Sequence, residues 1–374
     1  MRIRTRQTFT VLASASLIIA ATAPAFAQSA SPGADNWPFS GTLRDGSPFT
    51  LKQSIVDKLA LNSDADPAND VPIQYLFNYG SASIPLFSPQ YARGYERSIP
   101  EAQKILPQLS GTPMAPASQL QDPNLQIEQI SALWQAGLID CLSIQTTGAN
   151  AFTKIVDDIE KDGIPVFTVG VESNGNELTN FTQISEKEGR QAAQIVADWM
   201  KSTSTDIKNF AVSGGDTVQN WAQGRINGFI AGIKELVPGA VIVNESNPLD
   251  TSYDPAQTYD TYKQFLLGNP DVQFIENVDI GAEHADRAIK DLDLTGKVHT
   301  IGWNVSKGQL DAVEEGTQVA ALDQRWGEQA GFGALACADF LKNGIIRPNT
   351  QELLPVTKDN VAQARADFES IMGN

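Results

Sequence analysis

The chain has 374 residues, with 44 acidic and 27 basic side chains, two histidines, two cysteines and a formal net charge of −17. The length suits two domains with full cores, and a hydrophobic content of 41% is too high for a disordered chain. The acidic balance disfavours a nucleic-acid partner. Histidines and cysteines are too few for a His-rich metal site or a disulfide scaffold, so we expect no metal and no cofactor.

The first segment has the features of an export signal. Three arginines at positions 2, 4 and 6 precede an apolar run from about Phe9 to Ala23, and Ala25-Phe26-Ala27 supplies a cleavage pattern. The run is short for a membrane helix, and no cysteine follows it to carry a lipid. We therefore predict a signal peptide over residues 1–27, whose removal would change the charge from −17 to −20.

Residues 28–70 form a predicted N-terminal extension that is rich in Ser, Gly, Pro, Asp and Asn. It contains one short helical candidate, Leu51–Leu61. The run Asp64–Asp70 resembles a calcium loop, but it lacks the central glycine, and Tyr75 stands at the twelfth position, where such a loop needs an acid. A solvated linker is the better interpretation of this run.

From Ile73 onward, apolar runs alternate with helical patterns. The predicted strands are Ile73–Asn78, Ile139–Ile144, Pro165–Val169, Phe210–Val212, Val241–Asn244, Val272–Glu276, Val298–Gly302 and Val319–Asp323. The predicted helices are Gln90–Leu106, Gln126–Ala136, Phe152–Lys161, Ser185–Met200, Trp221–Leu236, Tyr253–Leu267, Ala282–Lys290, Leu310–Glu315 and Gln329–Lys342. This alternation predicts an α/β fold with two doubly wound parallel-sheet lobes. A ligand is expected in the cleft between the lobes, beyond the carboxyl ends of the strands.

The residues that follow the predicted strands are aromatic and polar. They are Tyr79, Phe87, Tyr91, Gln145, Asn150, Glu172, Asp216, Trp221, Arg225, Asn277, Asp279, Trp303, Asn304, Gln324, Arg325 and Trp326. Aromatic faces suit the C–H faces of a sugar or polyol, while planar polar groups can bracket vicinal hydroxyls. The alternatives are a core position for Trp303 or Trp326 and a surface ion pair for Arg225.

Enzyme motifs are scarce in this sequence. It contains no G-x-S-x-G and no G-x-x-x-x-G-K-[ST]. Gly331–Ala336 matches a dinucleotide fingerprint in letters only, because it lies within a predicted helix. A pair of carboxylates is enough for a glycosidase, so a secreted carbohydrate-active enzyme stays as an alternative.

The two cysteines fall in a predicted strand, at Cys141, and in a predicted late helix, at Cys337. An exported protein can oxidise its cysteines. Residues of this type so far apart are nevertheless more often separate buried thiols, and that is our expectation.

Six patterns in the same order resemble those of periplasmic sugar-binding proteins of ABC importers, of the ribose-binding type, from about Ile73 to Val361. They are Gly163-Ile-Pro-Val166; GDTVQNWAQGRINGF from Gly215 to Phe229; Asn269-Pro-Asp271 with Phe274-Ile-Glu-Asn277; His299-Thr-Ile-Gly-Trp303-Asn304; Ala320-Ala-Leu-Asp-Gln324 with Glu328-Gln-Ala-Gly331; and Val356-Thr-Lys-Asp-Asn-Val361.

The resemblance implies ligand contacts at Arg225, Asn277, Asn304 and Gln324, and near Phe87 and Gln145. The chain departs from the family pattern where Pro85-Leu-Phe87-Ser88 lacks the usual asparagine, where Gly170-Val171 replaces an Asp-Arg pair, and where Asn304 and Val278 replace aspartates. Glu172 and Asp279 stand next to two of these changes. A sugar or polyol other than ribose is therefore expected.

The resemblance also implies that three crossovers join the lobes, near 182–186, 322–326 and 343–349. Lobe 1 would comprise residues 71–184 plus 325–346, and lobe 2 residues 185–324 plus 347–374. A monomer would close around its ligand in the periplasm, without catalysis, and deliver it to a membrane ABC permease. A sugar-presenting partner of a sensor or chemoreceptor is a further alternative. A transcription factor is disfavoured because no basic helix-turn-helix precedes Ile73.

Overall fold

The computed structural model describes residues 40–63, 70–118 and 121–373. The predicted signal peptide, the start of the extension and most of the calcium-like run therefore lie outside the described residues. Among the residues that are described, no helix has the length and apolar character needed to cross a bilayer.

The strands in chain order are β1 Ser40–Thr42, β2 Pro48–Thr50, β3 Ile73–Asn78, β4 Leu109–Met114, β5 Cys141–Thr146, β6 Val166–Gly170, β7 Thr179–Thr182, β8 Asn209–Gly214, β9 Val241–Ile242, β10 Leu249–Asp250, β11 Phe274–Asn277, β12 His299–Trp303, β13 Gln318–Asp323 and β14 Leu354–Val356.

The helices are α1 Gln53–Leu61, α2 Phe87–Gln103, α3 Pro123–Gln135, α4 Thr153–Lys161, α5 Ser185–Thr203, α6 Asn220–Leu236, α7 Pro255–Gly268, α8 Ala282–Asp291, α9 Lys307–Glu315, α10 Trp326–Asn343 and α11 Val361–Met372. Side chains fix several of their starts. Asp122 and Asp254 each cap a helix whose first residue is proline, and the Ser306 hydroxyl accepts a hydrogen bond from the Gln309 N–H.

Two large sheets organise most of these elements, and β1 pairs with β2 in a separate antiparallel two-stranded sheet. The first has the order β4-β3-β5-β6-β7, and all its strands are parallel. The second has the order β10-β8-β11-β12-β13-β14, with β9 also beside β8, and its one antiparallel pair is β13 with β14. The predicted fold class is thereby confirmed: an α/β protein with two lobes, each built on a largely parallel sheet.

The chain passes between the sheets three times. After β7 it enters α5, which packs on α6 beside the second sheet. After β13 it enters α10, which packs on α2 and on β3, β5 and β6 of the first sheet. It then returns to form β14 next to β13. The exact assignment of residues to lobes stays a prediction.

A disulfide joins Cys141 in β5 to Cys337 in α10, with the two Cα atoms 6.1 Å apart. The expectation of two separate thiols is therefore wrong, although both residues are fully buried as expected. Because 196 residues separate the two cysteines in the sequence, no local pattern indicated that they pair. The second passage carries α10 back onto the first sheet and brings the two residues together.

The extension is part of the first lobe over residues 40–63. Phe49 and Ile55 are buried in the core beside the first sheet, where the Phe49 ring packs edge-on against Phe340. The Lys58 ammonium lies 2.7 Å from the Asp140 carboxylate, just before β5. This packing places the extension near the amino ends of β5 and β6, away from their carboxyl ends.

Candidate functional site

The site is built at the carboxyl ends of the strands in the second sheet. Strands β8, β11, β12 and β13 end side by side at Gly214, Asn277, Trp303 and Asp323. Parallel strands present these ends at one edge, so the polar residues that follow them are neighbours. Arg225 joins this edge from α6.

Two glycines let α5 and α6 approach closely. A Cβ atom at Gly189 would overlap the Arg225 carbonyl, and one at Gly228 would overlap the Glu186 carbonyl. Backbone contact of this kind is possible only where the side chain is absent. The approach sets Glu188 on α5 directly against Arg225 on α6.

Arg225 is held from several sides. It is 3% exposed, its Nε lies 2.8 Å from Glu188 Oε2, and its Nη1 donates to the Val278 carbonyl at 2.9 Å. Its guanidinium carbon lies 5.0 Å from the Trp221 ring centre and 5.3 Å from that of Trp303. The ion pair is therefore buried, unlike the surface pair weighed from sequence, and Nη2 has no hydrogen-bond partner among the described residues.

Glu188 was not singled out from the sequence. Burial raises the pKa of its carboxyl, while the Arg225 charge lowers it. Its Oε1 has no hydrogen-bond partner among the described side chains and backbone groups. An acid in the first turn of a helix is common, so only the packing of α5 on α6 distinguishes it.

Glu172 forms hydrogen bonds across the first connection between the lobes. Its carboxylate accepts hydrogen bonds from the Ser185 N–H at 2.7 Å and from the Ser185 hydroxyl at 2.9 Å. Ser185 begins α5, so these bonds tie the loop after β6 to a helix of the second lobe. The structure thus places Glu172 at the hinge.

Asn277 and Asp279 shape the loop after β11. The Asn277 amide donates to the Tyr262 hydroxyl at 2.7 Å, and its oxygen accepts from the N–H groups of Asp279 and Gly281. Asp279 accepts from the N–H of Gly215 at 2.5 Å and from that of Gly281 at 3.2 Å. Burial raises the pKa of Asp279 to about 6. A ligand contact by Asn277 stays a prediction.

Trp303 and Asn304 end β12. Trp303 is fully buried in the core of the second lobe and contacts Arg225 there, so it is a core residue that also borders the site. Asn304 has a left-handed backbone, with φ of 67°, and is 2% exposed. Within the described ranges its Oδ1 accepts no hydrogen bond.

Gln324 lies at the second passage between the lobes. Its carbonyl accepts from the amides of Gln329 and Gln351 at 2.9 and 3.2 Å. Its own amide has no hydrogen-bond partner in the described part of the chain, although the residue is buried. The side-chain amide of Gln324 can therefore still form hydrogen bonds at the edge of the second sheet.

The first lobe contributes an aromatic cluster, consisting of Phe87, Tyr91 and Trp326. The Phe87 ring centre lies 4.7 Å from that of Tyr91 and 5.1 Å from that of Trp326. Trp326 begins α10, directly after the second passage. The structure thus brings Trp326 against Phe87 and Tyr91, which the sequence placed together in a different loop.

Gln145 supports the loop after β3. Its Oε1 accepts from the Gly80 N–H at 2.9 Å, and its Nε2 donates to the Thr146 carbonyl at 2.6 Å. Both ends of the amide therefore have protein partners. A direct ligand contact by Gln145 stays a prediction.

Comparison with known families gives one match over most of the chain. The family model described as a periplasmic binding protein domain matches residues 97–344. None of the curated protein sequences matches the chain.

Several solved structures are similar in fold. An ABC transporter periplasmic solute-binding protein from Actinobacillus succinogenes with bound D-allose has a TM-score of 0.66 at 16% identity, covering 78% of this chain and 99% of that one. A solute-binding protein from Bacillus halodurans with bound myo-inositol has a TM-score of 0.65 at 15% identity, covering 81% and 99%. An arabinose-binding protein from Geobacillus stearothermophilus has a TM-score of 0.60 at 20% identity, covering 78% and 99%.

Proposed function

The chain belongs to the family of periplasmic binding proteins, and from that membership we propose that it binds a sugar or polyol between its lobes and delivers it to an ABC importer. The observation that carries this proposal is the environment of the Arg225 side chain. This side chain is buried against two tryptophan rings and a carboxylate, and its Nη2 has no hydrogen-bond partner in the part of the chain that the structure describes. A guanidinium held in this way can donate to a ligand hydroxyl without first losing side-chain freedom.

The two lobes supply complementary surfaces to such a ligand. The second lobe offers hydrogen-bonding groups at Arg225, Asn304 and Gln324, while the first offers the half-buried ring of Trp326, which packs on the buried rings of Phe87 and Tyr91. Aromatic faces pack on the C–H faces of a sugar ring, and polar groups satisfy its hydroxyls. The structures with bound D-allose and myo-inositol are relatives in fold whose ligands have this character.

Binding would close the hinge. The lobes are joined at 183–184, 324–325 and 344–353, and the Glu172–Ser185 hydrogen bonds lie at the first of these connections. A few residues at element ends are enough to absorb such a rotation. The closed form would then dock on the membrane permease as a monomer.

We propose binding without catalysis. Two buried carboxylates at the site already have protein partners, Glu188 in the Arg225 guanidinium and Asp279 in two backbone N–H groups. A glycosidase needs one carboxyl free to donate a proton and one free to attack or activate water. This arrangement supports a receptor over the alternative of a carbohydrate-active enzyme.

The proposed location is the periplasm, after cleavage of the signal peptide. The Cys141–Cys337 disulfide supports export, because disulfides persist in oxidising compartments. The acidic surface supports solubility there and carries no ligand preference by itself.

A thermal-shift screen of the mature protein against sugars and polyols tests this function. A ligand at 100 times its dissociation constant adds about 2.7 kcal/mol to the free energy of unfolding. We expect a few related sugars or polyols to raise the melting temperature and to be recovered unchanged. A panel in which none does so, or in which a glycoside is hydrolysed, would contradict the proposal.

A further inference from the structure

The buried site contains more carboxyl groups than cations. Arg225 is the one buried guanidinium among the described residues, and its charge acts on Glu188, Glu276 and Asp279. Glu188 alone already neutralises it at 2.8 Å. Among the described residues, Asp279 has no cationic side chain within 4 Å of its oxygens, so it is a buried carboxylate held only by backbone N–H groups.

The loops at the carboxyl ends of the strands do not supply further positive charge to balance these carboxyl groups. In the first lobe, the segments that follow its strands contain no lysine or arginine: residues 79–86, 115–122, 147–152, 171–178 and 183–184. In the second lobe, Arg325 is the one basic residue in the segments that directly follow the described parallel strands, and it is paired with Glu328; Lys358 follows the antiparallel strand β14, whose carboxyl end lies at the opposite edge of the sheet. Asp216 and Asp279 follow the strands of the same sheet. Among the described residues, these segments therefore supply no second unpaired cation for an anionic ligand; Arg287 and Lys307 lie outside them, in α8 and α9.

The atoms at the site that lack hydrogen-bond partners among the described residues include buried acceptors. Asn304 Oδ1 and Glu188 Oε1 are buried and lack hydrogen-bond partners in the described structure. Buried acceptors are satisfied by a ligand that donates hydrogen bonds, such as a hydroxyl or a protonated amine. A ligand carboxylate or phosphate brings only further acceptors and a second negative charge.

We propose that this cleft selects uncharged sugars or polyols and their protonated amino derivatives, that it rejects sugar acids and sugar phosphates, and that Asp279 sets this discrimination. The inference rests on the proposed function and deepens it. Repulsion between two negative charges in a partly buried site, roughly 6 Å apart, corresponds to a loss of affinity of about ten- to a hundredfold. Discrimination of this kind works by penalising the wrong ligand.

Matched sugars test the proposal by titration calorimetry on the mature protein. The tightest-binding hexose is compared with its 2-amino derivative and with its uronic acid. We expect the 2-amino derivative to bind at least as tightly as the hexose, because its ammonium is attracted to the Asp279 carboxylate, and the uronic acid to bind at least about tenfold more weakly than the hexose. Equal affinity for the uronic acid would overturn this inference while leaving the proposed function intact. Failure of every sugar to bind would overturn both.

The Asp279→Asn variant assigns the effect to its residue. We expect the ratio of hexose to uronic-acid affinity to fall to within about threefold, since one negative charge is removed from the site. Asp260→Asn removes the same charge from an exposed position on α7 and should leave the ratio unchanged. A ratio that is unchanged in a folded Asp279→Asn protein would remove Asp279 from this role.

Discussion

Arg225 combines an ion pair, a backbone hydrogen bond and two ring contacts in one buried position. We expect Arg225→Ala to weaken ligand binding by about ten- to a hundredfold, because a charge-assisted hydrogen bond to a hydroxyl is lost. Titration calorimetry with the ligand from the screen measures this loss.

A control is needed because Arg225→Ala leaves Glu188 as an unpaired buried charge, which costs about 3–5 kcal/mol of stability. The double variant Arg225→Ala, Glu188→Ala removes both charges, so it should fold better than the single variant and still bind weakly. Arg190→Ala changes an exposed arginine on α5 and should leave affinity unchanged. Full affinity in the folded double variant would remove Arg225 from the site.

Asp286 predicts a pH dependence of stability. Its Oδ1 accepts from the Thr300 hydroxyl at 2.7 Å, its Oδ2 has no partner among the described residues, and burial raises its pKa to about 7. The folded protein therefore holds this proton more tightly than the unfolded chain does. Its contribution to stability is complete below about pH 4 and is lost as the pH rises through 7.

The Asp286→Asn variant should abolish this dependence. Relative to the parent protein, its free energy of unfolding should increase between pH 5 and pH 8 by about 1–3 kcal/mol, as measured by denaturant titration. Asp260→Asn, on the exposed face of α7, should show no such trend. A difference between Asp286→Asn and the parent that stays constant over this range would refute the assignment.

The sequence predicted the positions of the site residues better than it predicted which residues contact each other. Sequence placed Arg225, Asn304 and Gln324 near strand ends because alternation of strands and helices locates those ends. It could not identify Glu188, whose partnership depends on how α5 packs on α6. Nor could it show that the Asn277 and Gln145 amides are occupied by loop backbone groups and other protein partners.

The close contact between helices α5 and α6 determines where Arg225 and Glu188 lie in the site. We expect Gly189→Ala to lower the free energy of unfolding by about 1–3 kcal/mol, because its Cβ would overlap the Arg225 backbone and force the helices apart. Ligand affinity should fall with it, since Arg225 and Glu188 would be displaced.

Gly268→Ala is the matched control. Gly268 also lies in a helix, but a Cβ there meets nothing within 4 Å, so this change should be neutral or stabilising. Chemical denaturation of both variants gives the comparison. Equal stability of the two variants would mean that the close approach of α5 and α6 has no energetic importance.

The disulfide fastens α10 to β5 within the first lobe. Replacing both Cys141 and Cys337 by alanine should lower the free energy of unfolding by about 2–5 kcal/mol. Ligand affinity should stay within about twofold, because neither sulfur lies at the strand-end edge. A double variant as stable as the parent under oxidising conditions would show that the bond contributes nothing to stability.

Edge strands account for most of the missed elements. The predicted strands of both sheet interiors are present, but β4 and β7 were not predicted, and they are the two edges of the first sheet. The β4 sequence Leu-Ser-Gly-Thr-Pro-Met includes Pro113, which is tolerated at an edge, and it lacks an apolar run. Hydrophobic pattern identifies strands that are buried on both faces and misses those that are not.

On the scale of the whole molecule, the sequence predicted two α/β lobes but not all of their parts. Residues 40–63 pack on the first lobe, near the amino ends of β5 and β6. Their composition suggested only an extension of unknown role. The passage of α10 back to the first sheet followed from family resemblance, whereas the disulfide it creates did not, because pairing over 196 residues leaves no local signal.

The proposed function requires that the molecule bind a sugar or polyol and release it unchanged. Titration calorimetry of the mature protein with the ligand from the screen, followed by chemical analysis of the recovered ligand, tests it most directly. We predict saturation at one ligand per chain, with a negative heat-capacity change from burial in the cleft, and complete recovery of intact ligand. A reaction product in the recovered material, or no saturable binding of any sugar or polyol, would contradict the account.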